Sequence, residues 1–295
     1  MSDPFAPSMT LLETQAIFTL LGIRFWDPVQ EQVITHDLEV IAWPADRPER
    51  QVTAFRTASG IYTFRGLPGL RHLEYPSGDA TPWDDDVIPT RFIFQVNDLR
   101  RRYLSLAYSV DVPFRGVFPS DRLVSPGNSP ALGIWLFSAA TRAANSTLAL
   151  IRAEIRIADL ASPSQPGAIE PAAYAVVAVD VEDDTWYGIA GPDGQVATFF
   201  PYPDFASPMG FTSPVRAMPQ QSWPLTIRVF YEPGMQQFPA GASVPDIRSL
   251  FDQGQASIWE NEVGDLLNEW QLDFNFSEEL VLHTGEAYTL WLTPA

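Results

Sequence analysis

The residue types that most often carry catalysis are few in this chain and far apart. The three histidines, His36, His72 and His283, fall in different expected elements. A histidine-based catalytic or metal site needs at least two of them to converge with carboxylates, so ordinary surface or core histidines are the favoured interpretation. Cysteine is absent, which excludes disulfides, thiol catalysis and cysteine-ligated zinc. We therefore expect no catalytic residue, no cofactor and no metal ligand.

Short charged runs are the next candidates for a site. The acidic runs 84–86 and 182–184 carry oxygen ligands of the kind that calcium prefers. Consecutive carboxylates lack the alternating spacing of a calcium loop, so solvated loop acids are the favoured interpretation. Arg100, Arg101 and Arg102 form a basic run that we expect at the tip of a turn. Docking to an acidic neighbour is the alternative role for this run.

The nine tryptophans are the third candidate group. Four of them fall in or beside expected strands and are assigned to the core: Trp26, Trp43, Trp135 and Trp223. Exposed aromatic side chains mark protein interfaces or sugar platforms, although packing within one chain is favoured here. The candidate interface set, including the arginine run, is Arg100, Arg101, Arg102, Trp186, Tyr187, Trp259 and Trp270.

Charge and composition limit the partners. The formal net charge is −18, whereas a nucleic-acid-binding surface needs clustered positive charge, so no nucleic-acid partner is expected. All 18 basic residues are arginine. Genome composition is the favoured explanation. The alternative is a preference for the planar, bidentate contacts that arginine makes at protein interfaces. No apolar run is long enough for a membrane span, and the first basic residue is Arg24, which predicts no secretory signal.

The elements that would position these side chains are mostly short strands. Apolar runs alternate with polar residues and stop at glycine or at one of the 27 prolines. Residues 92–96 and 104–110 flank a polar turn and predict a hairpin, and 148–157 predicts a long strand. One segment breaks this pattern, because Ser243 is a plausible N-cap and apolar residues then recur at helical spacing up to Trp270.

Two stretches look like copies of one β-unit. In the first, a turn at Ser59-Gly60 leads into the strand Ile61–Arg65 and a stop at Gly66-Leu67-Pro68-Gly69. In the second, a turn at 191–194 leads into a strand that stops at Pro201. The expected fold is mainly β, with two antiparallel β-sandwich domains in tandem and a short helical insertion near the C-terminus. The expected divisions are a tail (1–15), a first sandwich (16–118), a connecting segment (119–147) and a second sandwich (148–295) with the helical insertion at 243–270.

The stretch from Leu38 to Gly69 resembles the carboxypeptidase regulatory-like domain, a transthyretin-type β-sandwich. The resemblance lies in the strand Leu-Glu-Val-Ile-Ala-Trp-Pro and the later Gly-Ile-Tyr-Thr-Phe-Arg-Gly-Leu-Pro-Gly. Residues 190–203 look like the same motif in a second copy, and we expect the two copies of the domain that contain them to cover about half of the chain. The resemblance implies a transthyretin-like sandwich and says little about function.

The larger layout resembles structural proteins of phage-tail-like contractile injection systems. The resemblance lies in the order of the segments. Two sandwiches are separated by Val-Pro-Phe-Arg-Gly and are followed by Pro-Asp-Ile-Arg-Ser-Leu. It implies a non-enzymatic structural subunit at the baseplate, cap or surrounding cage, in contact with other subunits and homo-oligomeric within the assembly. The subunit would be made in the cytoplasm and would act in a particle that is cytoplasmic, membrane-anchored or released on lysis. The alternative is a carbohydrate-binding or adhesive β-sandwich that uses Trp186 and Tyr187.

Overall fold

The computed structural model describes residues 16–78, 80–118, 133–144, 146–158, 170–203, 222–262 and 265–295. The expected tail 1–15 and most of the connecting segment 119–147 lie outside the described residues. The protein is mainly β, as expected, with several sheets and little helix. No helix in the described ranges is long and apolar enough to cross a membrane.

The first half of the chain forms sheets that face each other across one apolar core. Its elements are β1 (Gly22–Ile23), β2 (Phe25–Asp27), β3 (Gln32–Ile34), β4 (Leu38–Pro44), β5 (Val52–Thr53), β6 (Phe55–Arg56), β7 (Tyr62–Thr63), α1 (Arg71–Glu74), β8 (Thr90–Asp98), β9 (Leu106–Val112), β10 (Val117–Phe118) and β11 (Ile134–Trp135). One sheet has the order β5-β4-β8-β9, and the opposite side is built from β10-β1-β7-β6 and β11-β2-β3. The predicted hairpin is confirmed as β8 and β9, which pair antiparallel.

A buried carboxylate holds the Leu-Pro-Gly stop that the sequence singles out. The Glu74 side chain is 3% exposed, and its two oxygens accept hydrogen bonds from the backbone N–H groups of Gly66 and Leu67, at 2.9 and 3.0 Å. Helix α1 has a single turn, and it places Glu74 against this loop. The Leu-Pro-Gly loop is therefore stabilised by a residue that follows it, because the buried Leu67 N–H would otherwise have no hydrogen-bond partner.

The second half of the chain forms a second pair of facing sheets. Its elements are β12 (Leu148–Ile157), β13 (Glu170–Pro171), β14 (Val176–Val181), β15 (Asp184–Ile189), β16 (Gln195–Pro201), β17 (Ser222–Phe230), α2 (Ile247–Phe251), β18 (Ser257–Trp259), β19 (Leu266–Leu267), β20 (Trp270–Asn275), β21 (Glu279–Leu282) and β22 (Leu290–Thr293). One sheet has the order β15-β14-β17-β20, and the other is organised around β12. A core that includes Ile151, Val177, Ile227 and Phe274 fills the space between them.

Strand β12 is the organising strand of the second unit. Alternate residues from Ala149 to Ile155 face the core, and the intervening side chains face outwards, as predicted from the alternation. On one side β12 pairs antiparallel with β16, and on the other it pairs parallel with β21 and then with β22. The expectation of purely antiparallel sheets is therefore wrong. Strands β1 with β10 and β2 with β11 are also parallel, because their partners come from distant segments that run in the same direction.

The helical insertion expected at 243–270 is much shorter. Among the described residues of this range, only α2 (Ile247–Phe251) is helical. Its N-cap is Asp246 rather than Ser243, because an Asp246 oxygen accepts the backbone N–H of Arg248 at 3.0 Å. Beyond α2 the chain returns to strand as β18, β19 and β20. Strand β18 pairs with both β19 and β22, and this tertiary pairing overrides the apparent helical spacing of its apolar residues.

Residues 231–256, here called the crossover segment, pack against the first unit. The Trp43 indole N–H donates a hydrogen bond to the carbonyl of Ala240 at 2.9 Å, and Ser109 donates to Asp246 at 2.6 Å. Val244 joins Trp43, Ile93 and Ala107 in a small core on the outer face of the β5-β4-β8-β9 sheet. The crossover segment therefore covers a sheet face that would otherwise expose tryptophan to water.

A second connection between the two units is a buried polar cluster of Asp27, Tyr103, Ser138 and Arg142, here called the Asp27 cluster. One Asp27 oxygen accepts from the Tyr103 hydroxyl at 2.6 Å and from the Arg142 guanidinium at 2.8 Å, while Arg142 also donates to Ser138. The guanidinium lies over the rings of Tyr103 and Phe199, which belong to different units. Burial and the neighbouring Asp27 charge raise the pKa of Tyr103, so its hydroxyl remains a donor.

The two similar stretches of sequence occupy different topological positions. Strands β6 and β7 pair in one sheet on either side of their turn. Strands β15 and β16 flank the second turn but belong to different sheets, so the second turn crosses from one face of its sandwich to the other. The turn chemistry recurs, whereas the connection that it makes does not.

Candidate binding cleft

The arginine run lies at a turn tip, as expected, but two of its members are engaged within the chain. Arg100 forms an ion pair with Asp37 at 2.9 Å, and Arg102 pairs with Asp98 at 3.0 Å. Asp98 also accepts the backbone N–H groups of Arg100 and Arg102. Arg101 is exposed at a left-handed φ of 56°. The run therefore stabilises its own turn, and Arg101 is the member that faces solvent without such an ion pair among the described residues.

The aromatic pair Trp186 and Tyr187 is half-buried in β15, on opposite faces of the strand. Tyr187 packs edge-on against Phe251 of α2, with ring centroids 5.5 Å apart, and joins the first core. Burial raises the pKa of the Tyr187 hydroxyl. Trp186 packs against the second core. These contacts connect the pair to both cores and leave little of either ring to form a sugar platform.

The second aromatic pair separates into a core residue and a surface residue. Trp259 is 2% exposed and packs edge-on against Trp291, and its indole N–H donates to Thr293 at 3.0 Å. Trp259 belongs to the candidate interface set, but in the structure it is a core residue, buried beside Ala158 and Trp291. Trp270 is half-buried at the start of β20, where it lines a cleft.

This cleft, here called the edge cleft, has a volume of about 310 Å³. It is lined by Glu260, Trp270, Leu272, Leu280, Val281, Leu282, His283 and Gly285. Trp270 and Leu272 come from β20, and Leu280 to Leu282 come from β21, which belongs to the opposite sheet. The edge cleft is therefore the open side of the second sandwich, where inward-facing apolar side chains of both sheets reach the surface.

The edge cleft is open because two strands end their sheets there. Strand β20 is last in the order β15-β14-β17-β20, and β21 pairs with β12 alone in the part of the chain that the structure describes. Alternate residues of such an edge strand present backbone N–H and C=O groups that have no ladder partner. Val281 is 50% exposed on β21. The edge cleft thus combines apolar walls with an accessible sheet edge.

The loop that follows β21 fixes one end of the edge cleft. Thr284 is fully buried, and its hydroxyl donates to the Trp259 carbonyl at 3.0 Å and accepts the Trp291 backbone N–H at 2.9 Å. His283 is exposed, and its Nδ1 lies 2.7 Å from the Gly285 carbonyl oxygen. Because a carbonyl only accepts hydrogen bonds, Nδ1 carries the hydrogen and Nε2 of the neutral ring is an acceptor.

The surroundings of the edge cleft are acidic. Residues 249–295 contain nine carboxylates and no lysine or arginine, which equals half of the formal net charge of −18. Eight of the nine are exposed and lie within residues 260–286, the stretch that supplies every lining residue of the edge cleft: Glu260, Glu262, Asp265, Glu269, Asp273, Glu278, Glu279 and Glu286. Glu279 has an arginine partner, Arg152, at 2.8 Å. The stretch of chain that forms the apolar cleft is therefore strongly negative, and Glu260 lies in the lining itself.

The remaining candidates do not converge on a site. His36 follows β3, His72 lies on α1 and His283 lies in the edge cleft. Thr81 donates two hydrogen bonds to Asp84, which lower the pKa of that carboxyl within its own turn. Of the acids at 182–184, Glu182 and Asp183 form the β14–β15 turn and Asp184 begins β15. Among the described residues, no group of three histidine or carboxylate side chains is arranged to hold a metal ion.

Sequence reasoning identified Trp270 but missed the rest of the edge cleft. Leu280, Val281 and His283 carry no motif, and their shared position depends on the parallel pairing of β21 with β12. The one signal available in the sequence was the charge asymmetry, since no basic residue follows Arg248.

Comparisons with known proteins give no family. No protein-family model matches the sequence, and no curated protein matches it. Among solved structures, the Bacillus anthracis TIE protein is similar at 10% identity and a TM-score of 0.23, over 92% of this chain and 34% of that chain. A candidate adhesin from Bacteroides ovatus is similar at 10% identity and a TM-score of 0.21, over 94% of both chains. The chain spans about a third of the TIE protein, and likenesses at these TM-scores carry no argument about function.

Proposed function

We propose that this protein is a non-enzymatic structural subunit of a larger protein assembly, which it joins through protein–protein contacts. The observation that carries the proposal is the way the two sandwich units are fixed together. The Asp27 cluster and the crossover segment bury hydrogen-bonded polar groups between them, and the first core includes Tyr174, Val176 and Ile189 from the second unit. A rigid body of this kind suits a subunit that spaces or orients its neighbours.

The edge cleft supplies the contact surface for this role. It is apolar, it is bordered by strand edges that have no strand partner in the described part of the chain, and it is separate from the contacts that hold the two units together. Arg101 provides a second exposed point, on the first unit. The assembly to test first is a phage-tail-like contractile injection particle, because the layout of the sequence resembles the structural proteins of such particles and the Leu38–Gly69 stretch resembles a transthyretin-type sandwich.

The test is purification from the native host with the chain at its natural abundance. Mass determination by light scattering and electron microscopy of the co-purifying material would follow. We expect the chain to travel with a large particle and to be released as a unit on dissociation. A monodisperse free monomer with no co-purifying protein would contradict the proposal.

A second candidate function is a carbohydrate-binding or adhesive module. Trp270 favours it, because an accessible tryptophan beside Glu260 and His283 offers a stacking face and two polar groups. Most of the other lining side chains are aliphatic, which suits an apolar side chain better than a sugar. A glycan panel with intrinsic tryptophan fluorescence separates the two functions, since the structural role predicts no response.

A further inference from the structure

We infer that the edge cleft binds an extended basic segment of a partner protein, which adds as a strand to the open edge of β21. The inference rests on the proposed function, because it names the chemistry of one contact that the subunit makes. It is carried by three features of the described residues, which are the apolar lining, the unpaired edge and the charge.

The apolar lining determines the form of the segment. Trp270 and Leu272 lie on one wall and Leu280 and Leu282 on the other, so the inward faces of both sheets are reached from outside. An extended chain places every second side chain on one face. Alternate apolar residues of a bound strand can therefore enter the cleft while the intervening residues stay at the surface.

The edge of β21 determines the register and direction of binding. Strand β21 is parallel to β12, and its other side has no strand among the described residues. Peptides that add to a sheet edge obtain affinity from main-chain hydrogen bonds and specificity from pockets for alternate side chains. Val281, 50% exposed on this edge, lies where the incoming strand would pass.

The charge selects the partner. Eight exposed carboxylates lie within residues 260–286, the stretch that supplies the cleft lining, and the single ion pair found for them among the described residues joins Glu279 to Arg152. A segment with arginine or lysine at its surface positions is attracted to this field, and an acidic segment is repelled. Residues 1–15 of a second copy carry Asp3 and Glu13 and no basic residue, so they do not complement it.

The experiment measures peptide binding to the full chain by fluorescence polarisation. The probe is a short labelled peptide that alternates valine or leucine with arginine. The comparison peptides replace arginine with glutamate, methylate alternate backbone nitrogens, or carry the sequence of residues 1–15. We expect the arginine peptide to bind, its affinity to fall with added salt, and the glutamate and N-methylated peptides to bind at least about tenfold more weakly.

Two variants locate the binding. Val281→Lys places a like charge on the exposed edge, and Glu260→Gln removes one carboxylate from the cleft. Both residues are exposed, so the thermal melts of the variants should match that of the parent. Each variant should lower the affinity for the arginine peptide several-fold. Glu49→Gln, which removes an exposed carboxylate on the first unit, is the matched control and should leave binding unchanged.

A thiol cross-link adds a readout that does not depend on affinity. The chain has no cysteine, so Val281→Cys supplies a unique thiol for a peptide with a matching cysteine. Equal binding of all peptides, binding unaffected by the cleft variants, or preference for the 1–15 peptide would overturn the inference. If Val281→Lys still enters the native particle, the basic-strand contact is wrong while the structural role stands. Failure of the parent chain to join any assembly contradicts the role itself.

Discussion

At the scale of single residues, the Asp27 cluster shows how buried charge connects the two units. Asp27 is fully buried, and both of its oxygens accept hydrogen bonds. Oδ2 accepts from Tyr103 and Arg142, and Oδ1 accepts the backbone N–H groups of Val29 and Gln30. A buried ion pair adds little net stability, but removing one partner leaves an uncompensated charge. The cluster is therefore a place where a single substitution has a large effect.

Arg142→Met tests this directly. Methionine fills much of the space between Tyr103 and Phe199 but leaves the Asp27 carboxylate without its cation. We expect the free energy of unfolding to fall by about 3–5 kcal/mol, measured by denaturant titration. Arg91→Met is the matched control, because Arg91 pairs with Asp111 on the exposed surface and such pairs contribute at most about 1 kcal/mol. Equal effects of the two substitutions would show that leaving Asp27 without its cation carries no extra cost.

Asp98 gives a pH-dependent prediction at the same scale. Burial alone would raise the pKa of Asp98, but hydrogen bonds from the Arg102 side chain and from the backbone of Arg102 and Arg100 outweigh burial and lower it. A carboxyl whose pKa is lower in the folded state stabilises the fold above its unfolded pKa of about 3.9, and this stability is lost as pH falls through the folded value. Asp98→Asn should therefore be less stable than the parent at neutral pH.

The difference in stability between the two proteins should narrow as pH falls from about 4, where the unfolded parent protonates Asp98, towards the lower pKa of Asp98 in the folded state. Thermal melts across the pH range measure it. Asp46→Asn, at an exposed ion pair, is the control and should follow the parent at every pH. If the difference in stability between Asp98→Asn and the parent stayed constant with pH, the lowered pKa of Asp98 would not be its cause.

At the scale of elements, turns and hairpins were predictable while the pairing of distant strands was not. The β8–β9 hairpin and the long β12 strand follow from alternation and turn residues close in sequence. Residues 257–262 and 265–270 were misassigned as helix because Trp259, Leu266 and Trp270 satisfy helical spacing as well as short strands do. The pairing of β18 with the distant strand β22 makes this segment a strand. The local spacing of apolar residues carries no information about such a distant partner.

The second turn gives a prediction at this scale. Gly194 has a φ of 80°, and a Cβ atom there would fall against the Ile155 carbonyl oxygen of β12. Gly69 has a similar φ of 83°, but a Cβ atom there would meet nothing within 4 Å, so the two glycines separate backbone strain from crowding. Gly69→Ala should cost about 1–2 kcal/mol of unfolding free energy, and Gly194→Ala about 1–3 kcal/mol more.

Denaturant titration of both variants measures the difference. The physical reason is that Gly194 must approach β12 closely, since its carbonyl accepts the Ile155 backbone N–H at 2.8 Å. Similar losses for the two substitutions would mean that the turn relaxes away from β12 without cost.

At the scale of the whole molecule, the shared first core predicts cooperative unfolding. Ile247 and Leu250 of the crossover segment, with Tyr174 and Val176, are buried among residues of the first unit. Chemical denaturation should therefore give one transition, coincident by circular dichroism and by tryptophan fluorescence. Two separated unfolding transitions would show that the two units unfold independently of each other.

A core substitution extends this prediction. Val176→Ala removes two methyl groups from the shared core and should lower stability by about 1–3 kcal/mol. Hydrogen exchange should then speed up in β4 and β8 of the first unit as well as in β14. Val179→Ala, in the same strand but within the second core, is the matched comparison. Faster exchange confined to β14 would contradict a shared cooperative core.

The position of β12 also affects how the protein is made. Residues 148–157 leave the ribosome well before their parallel partners at 279–293. At ~5–20 residues per second, one edge of this apolar strand stays unpaired for on the order of ten seconds during synthesis. Its outward face carries Arg152, Glu154 and Arg156, charges that discourage pairing with a neighbouring nascent chain. We therefore expect these charges to limit aggregation of the strand during translation, before its parallel partners have been synthesised.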